Sequence, residues 1–159
     1  MAEEINTKGI ILFNSSARHL ADISANQYNR LDPSNKTAYE QYAQAAKAAT
    51  AGTAKGLYFY GVTDYYWASY NEINVIESLK NAGFPTLIIN SSADNQIFTD
   101  DIELWKKELS KTQQVTVKIY DDISHFGYKI DTNDTASLYK PTEFPKELIE
   151  EFIKAINKE

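Results

Sequence analysis

The segment Pro85-Thr-Leu-Ile-Ile-Asn-Ser-Ser-Ala-Asp94 decides the fold of this chain, because it reads as an apolar strand that ends in a carboxylate. A second strand, at residues 115–120, is followed in the same way by Asp122-Ile-Ser-His125. In an open parallel sheet, ligands bind outside the carboxyl ends of the strands. A carboxylate placed there can hold an imidazole in one tautomer. The spacing therefore predicts a functional pair of Asp94 and His125.

Each of these two residues also has a plain structural explanation. Aspartate is common in loops that approach a helix, and a single histidine after a strand is more often structural than catalytic. Their equivalent positions after successive strands argue for a functional pair, and the structural explanations stay open beside it. The other histidine, His19, lies at the start of a predicted helix, and we assign it no catalytic part.

The composition is that of one globular domain spanning residues 1–159, with 43% hydrophobic and 24% charged residues. The net charge of −6 argues against nucleic acid or an anionic membrane as a partner. No apolar run reaches the length of a transmembrane helix, and the acidic N-terminus lacks the apolar core of a signal peptide. We therefore expect a cytoplasmic protein as this chain stands.

The order of apolar patterns predicts an α/β fold with a three-stranded, mostly parallel sheet flanked by helices. The strands fall at about residues 8–14, 85–90 and 115–120. The first has the continuous apolar character of a strand buried on both faces, and the third alternates like an edge strand with one wetter face. A cap-like insertion is predicted at about residues 16–70. Within it, residues 56–70 are predicted to be irregular or to form short helical turns. Helices are predicted at residues 19–31, 36–51 and 71–82, and a further one follows a cap at Thr99. Residues 132–142 are predicted as a loop. The last helix is predicted from Pro145, with an apolar stripe of Leu148, Ile149, Phe152, Ile153 and Ile156.

The sequence lacks the patterns that metal, nucleotide or cysteine chemistry requires. With no cysteine, two histidines and no His-Glu-x-x-His pattern, we predict no metal site. The six glycines form no phosphate-binding loop, so we predict no cofactor. The Gly-x-Ser-x-Gly elbow that carries the nucleophile of a serine hydrolase is also missing. The serines that follow strands or lie beside the pair lack such glycines; they are Ser15, Ser16, Ser91, Ser92 and Ser124.

With these motifs in this order, the chain resembles the C-terminal half of an α/β-hydrolase, in particular bacterial esterases and acyl-peptidase-like members related to dienelactone hydrolases. Residues 85–94 resemble the seventh strand with the triad acid, residues 115–120 the eighth strand, and Ile123-Ser-His125-Phe the histidine loop. Residues 8–18 resemble the sixth strand, and residues 64–71 resemble the segment that re-enters the core after the cap. The first five strands, the oxyanion-hole loop and the nucleophile have no counterpart.

The resemblance implies roles for individual residues. Asp94 would be the triad acid and His125 the base. Tyr65, Tyr66 and Trp67 would lie near a pocket for a small-molecule ester or a peptide-like substrate. The alternative for this aromatic segment is core packing.

The missing fifth strand of the family would leave the strand at residues 8–14 with an open apolar edge. We expect self-association through this strand, or a partner that supplies the missing half. The chain is then part of a serine hydrolase for ester or acyl-peptide hydrolysis, inactive alone because it has no nucleophile. Alternatively it is a non-catalytic binding or self-assembling module of hydrolase ancestry. A third possibility is a small α/β domain with a ligand pocket between Asn14, Asp94 and His125.

Overall fold

The computed structural model describes residues 8–111, 114–131, 133–134, 140 and 142–156. Most of the predicted loop at residues 132–142 lies outside the described residues. No helix in the described part is both long and apolar enough to cross a bilayer. In chain order, the elements are β1 (Ile10–Phe13), α1 (Leu20–Leu31), a 3-10 helix (Pro33–Asn35), α2 (Lys36–Ala48), β2 (Tyr58–Phe59), β3 (Val62–Thr63), α3 (Asp64–Asn71), α4 (Val75–Ala82), β4 (Thr86–Ser91), α5 (Thr99–Leu109), β5 (Val115–Tyr120) and α6 (Lys146–Ile156).

The chain divides into two compact units. The first unit combines the residues up to Ser15 with those from Ile76 onward. The second unit is the continuous segment Ser16–Val75, which includes the residues predicted as a cap-like insertion. The sheet and the residues after its strands therefore come from two stretches that are distant in sequence.

The first unit contains a three-stranded parallel sheet in the order β1-β4-β5, which confirms the predicted α/β class. β4 is the central strand and is buried along most of its length. β1 was expected to be buried on both faces, but its four residues are only half-buried, because β1 is an edge strand in the described part of the sheet. β5 is the other edge, and its exposed residues, Thr116 and Ile119, lie on opposite faces rather than on one.

Helix α5 buries the predicted stripe of Ile102, Trp105 and Leu109, whose spacing of three and four residues places them on one face. Thr99 is the first helical residue rather than the cap. The backbone N–H of the preceding residue, Phe98, donates to the buried Asp101 carboxylate at 3.3 Å. An acidic residue in the first turn thus satisfies one of the otherwise unpaired N–H groups at the start of the helix.

Helix α6 covers one face of the sheet with only part of its apolar surface. Leu148 is buried against Ile89 of β4, and the rings of Phe152 and Phe13 meet edge-on with centroids 5.7 Å apart. The other predicted members of the stripe are exposed and form what we call the isoleucine stripe: Ile149 (43% exposed), Ile153 (51%) and Ile156 (73%). Within the described residues, α6 is therefore only partly covered.

The second unit has its own core, in which small residues of α1 and α2 surround one indole. The buried members are Ala21, Ala25, Ala43, Ala46, Ala49, Trp67 and Ala68. His19 caps α1, as its position at the helix start indicates: its Nδ1 accepts from the N–H of Ala21 at 3.1 Å. Its Nε2 bonds Asn71 Oδ1 at 2.8 Å, which makes Nε2 the protonated nitrogen.

The prediction that residues 56–70 are irregular or form short helical turns is wrong at residues 58–63, which form the β2–β3 hairpin, whereas the short helix α3 agrees with it. Tyr60 and Gly61 both have positive φ, of 52° and 78°, as a two-residue hairpin turn requires. The buried Asp64 carboxylate accepts backbone N–H groups of Lys55 (2.7 Å) and Gly56 (2.9 Å). Burial alone would raise the pKa of Asp64, but backbone hydrogen bonds from Lys55, Gly56, Leu57 and Tyr65 together outweigh it and lower the pKa below its usual value.

Two predicted helix boundaries also differ. The helix expected at residues 71–82 begins only at Val75, since Asn71 ends α3 and donates its side-chain N–H groups to the carbonyls of Ala46 and Ala49, both at 2.9 Å. Helix α2 ends at Ala48 rather than at residue 51, because Ala49 has extended backbone angles. The Asn71 side chain thus satisfies carbonyls at the C-terminal end of α2.

Replacing Leu148 with alanine should destabilise the chain by about 2–5 kcal/mol, since the substitution leaves a cavity beside Ile89. Its neighbour Ile149 is 43% exposed, so Ile149→Ala should cost less than about 1 kcal/mol. Urea unfolding followed by circular dichroism at low protein concentration measures both. Equal losses from the two variants would contradict this assignment of the buried face of α6.

Candidate active site

The carboxylate of Asp94 lies three residues after the end of β4, and its side chain is fully buried. Oδ1 accepts the backbone N–H groups of Gln96 (2.7 Å) and Ile97 (3.0 Å). Oδ2 lies 2.9 Å from Nδ1 of His125. Both oxygens therefore have partners, and the local turn fixes the carboxylate in the orientation that meets the imidazole.

Within the described part of the chain, the imidazole of His125 has a hydrogen-bond partner at one of its two nitrogens. A carboxylate can only accept, so Nδ1 carries the hydrogen and donates it to Asp94. Nε2 is then the acceptor nitrogen, and it has no hydrogen-bond partner among the described residues. The His125 side chain is 25% exposed. The ring of Phe126 packs edge-on against it, with the two ring centroids 5.4 Å apart. The arrangement leaves a basic nitrogen within reach of an incoming group.

A tight turn presents His125 to Asp94. The N–H of Gly127 donates to the carbonyl of Ser124 at 3.0 Å, and Ser124 N–H donates to the carbonyl of Tyr128 at 2.8 Å. Gly127 has a φ of +86°, and a Cβ built there would lie 2.4 Å from Phe144 Cε2. Only glycine satisfies both the left-handed backbone and the close ring at this position.

A residue from β1 completes the arrangement. Asn14, just past the end of β1, is 5% exposed and has a φ of +42°. Its Nδ2 donates to the carbonyls of Ser124 (3.1 Å) and His125 (2.8 Å). Its Oδ1 accepts the N–H of Ser91 at 3.2 Å. The sequence places Asn14 after a strand, but this bridging role has no local pattern by which it could be predicted.

The hydroxyls of the five serines considered from the sequence all make hydrogen bonds, and four of these bonds are local in sequence. Three hydroxyls donate, namely Ser15 to the Phe13 carbonyl (3.1 Å), Ser16 to the Arg18 carbonyl (3.0 Å) and Ser92 to Asp121 (2.7 Å). Two accept, namely Ser91 from Ala93 N–H (3.1 Å) and Ser124 from Tyr128 N–H (3.2 Å). None of them bonds the free nitrogen of His125, so the described chain supplies an acid and a base without a paired nucleophile.

The aromatic residues predicted near a substrate lie in α3, within the second unit. Tyr65 and Tyr66 are 56% and 45% exposed. Trp67 is buried, and its Nε1 donates to the Phe59 carbonyl at 3.1 Å. Trp67 is thus part of a core, and a role of this segment in substrate binding stays a prediction. Among the described residues, no group of three or more histidines and acids is placed to hold a metal ion.

Two comparisons with known proteins find no relative of this chain. No protein-family model matches the chain. A search of curated proteins also finds no match. The functional argument therefore rests on the residues themselves.

Gly127→Ala should destabilise the first unit by about 2–5 kcal/mol, because it adds the cost of a left-handed alanine to a clash with Phe144. Gly83 is the matched control, since its φ is +65° and nothing lies within 4 Å of its added Cβ. Gly83→Ala should cost about 1–2 kcal/mol from the backbone alone. Urea unfolding midpoints compare them, and similar losses would show that the Phe144 contact does not restrict the turn.

Proposed function

We propose that this chain is the acid–base part of a serine hydrolase, the C-terminal portion of an α/β-hydrolase acting on carboxylic esters or acyl peptides. One observation carries the proposal: Asp94 Oδ2 lies 2.9 Å from His125 Nδ1, while Nε2 has no partner among the described residues. A buried carboxylate that orients an imidazole with a free Nε2 is the geometry of a general base.

The chemistry requires a hydroxyl nucleophile from outside the described chain. As its oxygen attacks the acyl carbon, Nε2 of His125 would take the hydroxyl proton. The imidazolium would be stabilised by Asp94 and would pass that proton to the leaving alkoxide or amine. A water molecule would then repeat the same steps on the acyl intermediate and release the acid. Without the nucleophile and an oxyanion hole, Asp94 and His125 supply only weak general-base catalysis.

The isolated chain should show no burst with p-nitrophenyl acetate and no covalent labelling by a fluorophosphonate, because it lacks an activated serine. The genomic reading frame before residue 1 should encode a Gly-x-Ser-x-Gly elbow. The joined polypeptide should hydrolyse the ester and lose about 10⁴-fold in kcat on His125→Ala or Asp94→Asn.

The joined polypeptide with His19→Ala is the matched control, since His19 caps a helix in the second unit. It should keep its activity. An upstream frame without the elbow would contradict the proposal, as would activity that survives His125→Ala. Fluorophosphonate labelling of the isolated chain would contradict the missing nucleophile.

A second candidate function, self-assembly, is favoured by β1, which is an edge strand in the described part of the sheet, and by the exposed isoleucine stripe of α6. Leu148 and Phe152 of α6 face the sheet, and Phe152 contacts Phe13 of β1. Glu151 forms an ion pair with Lys118 of β5. The hydrogen bond that Lys118 donates to the Glu151 carboxylate lowers the pKa of Glu151. Successive helical residues turn by about 100°, so the isoleucine stripe falls on the flank opposite Glu151, next to β1.

The edge of β1 and the isoleucine stripe are therefore expected on the same side of the described sheet. β1 contains neither a charge nor a proline, the usual protections of an edge strand. The N–H groups of Ile10 and Asn14 point toward β4, so the alternate N–H groups of Ile11 and Phe13 point outward. A second copy in antiparallel orientation would bond these groups and bring two isoleucine stripes together around a two-fold axis.

If this holds, sedimentation at micromolar concentration should detect a dimer. Ile11→Pro should convert it to monomer, because proline removes an outward N–H without touching the bonds to β4. Ile153→Lys should do the same by charging the stripe, whereas Glu150→Lys, exposed on the same helix, should leave the dimer intact. A monomeric wild-type chain at these concentrations would contradict self-assembly and would leave a separate partner as the occupant of the edge.

A further inference from the structure

We propose that Asn14 is a positioning residue for His125, whose carboxamide fixes the histidine turn against the strand end that leads to Asp94. The inference takes its catalytic meaning from the proposed function. Its structural content is independent of any substrate, because it concerns which side chain holds Asp94 and His125 together.

Asn14 connects the ends of all three strands. It follows β1 directly, its Oδ1 accepts the N–H of Ser91 at the end of β4, and its Nδ2 donates to the carbonyls of Ser124 and His125 in the turn after β5. Both amide hydrogens and the amide oxygen are used. A buried side chain whose donors and acceptor are satisfied by two other chain segments sets the spacing of those segments relative to its own, since removing it leaves several buried polar groups without a partner.

Both sides of the acid–base bond are anchored close to this side chain. The carbonyl of His125 itself accepts from Nδ2 at 2.8 Å, which fixes the backbone from which the imidazole extends. The Asp94 N–H donates to the carbonyl of Ser91 at 3.3 Å, and Ser91 is the residue whose N–H bonds Asn14. A shift of Asn14 therefore moves the base and the start of the acid loop relative to each other.

Asparagine suits this position for two reasons. Its φ of +42° lies in the left-handed region, which asparagine enters more readily than most residues other than glycine. Its amide offers two hydrogens and an oxygen, whereas aspartate offers only oxygens. Asn14→Gly therefore keeps the backbone and removes the amide, and Asn14→Asp keeps the shape and removes the two donors.

The test observes the imidazoles by nuclear magnetic resonance in the ¹⁵N-labelled full chain. The chain has 2 histidines, and the structure gives them opposite tautomers: Nδ1–H in His125 and Nε2–H in His19. His19 is therefore an internal control. A matched variant is Asn90→Leu, which changes a buried asparagine of β4 whose amide atoms have no hydrogen-bond partner among the described residues.

In Asn14→Gly, the His125 Nδ1–H should exchange with water at least about tenfold faster than in the wild type, the change expected from losing one or two hydrogen bonds. Its resonance should also shift toward that in Asp94→Asn. The His19 signals should not move, and Asn90→Leu should leave both histidines as they are. A purely structural role of Asn14 would not select His125 in this way.

An unchanged His125 Nδ1–H in a folded Asn14→Gly variant would overturn the proposal. If that variant does not fold, Asn14→Asp decides by the same measurement. If neither folds, the wild-type chain decides: Asn14 side-chain hydrogens that exchange as fast as those of an exposed asparagine overturn the proposal, and protection of about tenfold or more supports it. A wild-type His125 without an Nδ1–H would contradict the acid–base pair itself, which separates that failure from a failure of Asn14.

Discussion

The parallel pairing of β4 with a strand on each side is the constraint on which the rest of the structure depends. Because β1, β4 and β5 run in the same direction, the residues that follow them collect at one edge of the sheet. The polar residues that follow these apolar strands need hydrogen-bond partners beyond that edge, because a buried polar group without a partner is costly. Asn14, Asp94 and His125 are those residues. They pair with one another at the carboxyl ends of the strands, and this is where the candidate site lies.

Almost every polar group at this edge has a partner. The Asp94 carboxylate has three, the Asn14 amide has three, and the buried Ser124 bonds through its N–H, carbonyl and hydroxyl. The exceptions among the described residues are the buried amide of Asn90 in β4 and Nε2 of His125, whose side chain is 25% exposed. The acid is therefore fully bonded within the described chain, whereas the base keeps one ring nitrogen without a partner there, and the proposed general-base role uses that nitrogen.

The strands and the Asp94–His125 contact could be predicted from sequence because burial on a sheet leaves a linear signal: an apolar run and then a polar residue. The hairpin at residues 58–63 could not, since its aromatic residues show no clean period and Tyr60 adopts a positive φ without being glycine. The apolar pattern of α6 predicted one stripe, yet only part of it is covered. Asn14 reaches across about 110 positions of sequence, and no local pattern encodes such a bridge.

The insertion of the second unit between β1 and β4 has a consequence for the order of folding. The β1–β4 pairing closes a loop of residues 14–85, and contacts across so long a segment form slowly. The second unit has a core of its own within that loop, so it can fold from nearer contacts and shorten the distance that the two strands must span. The helical insertion would then act as a folding aid for the sheet, and the acid–base pair would assemble among the last events, after its strands have met.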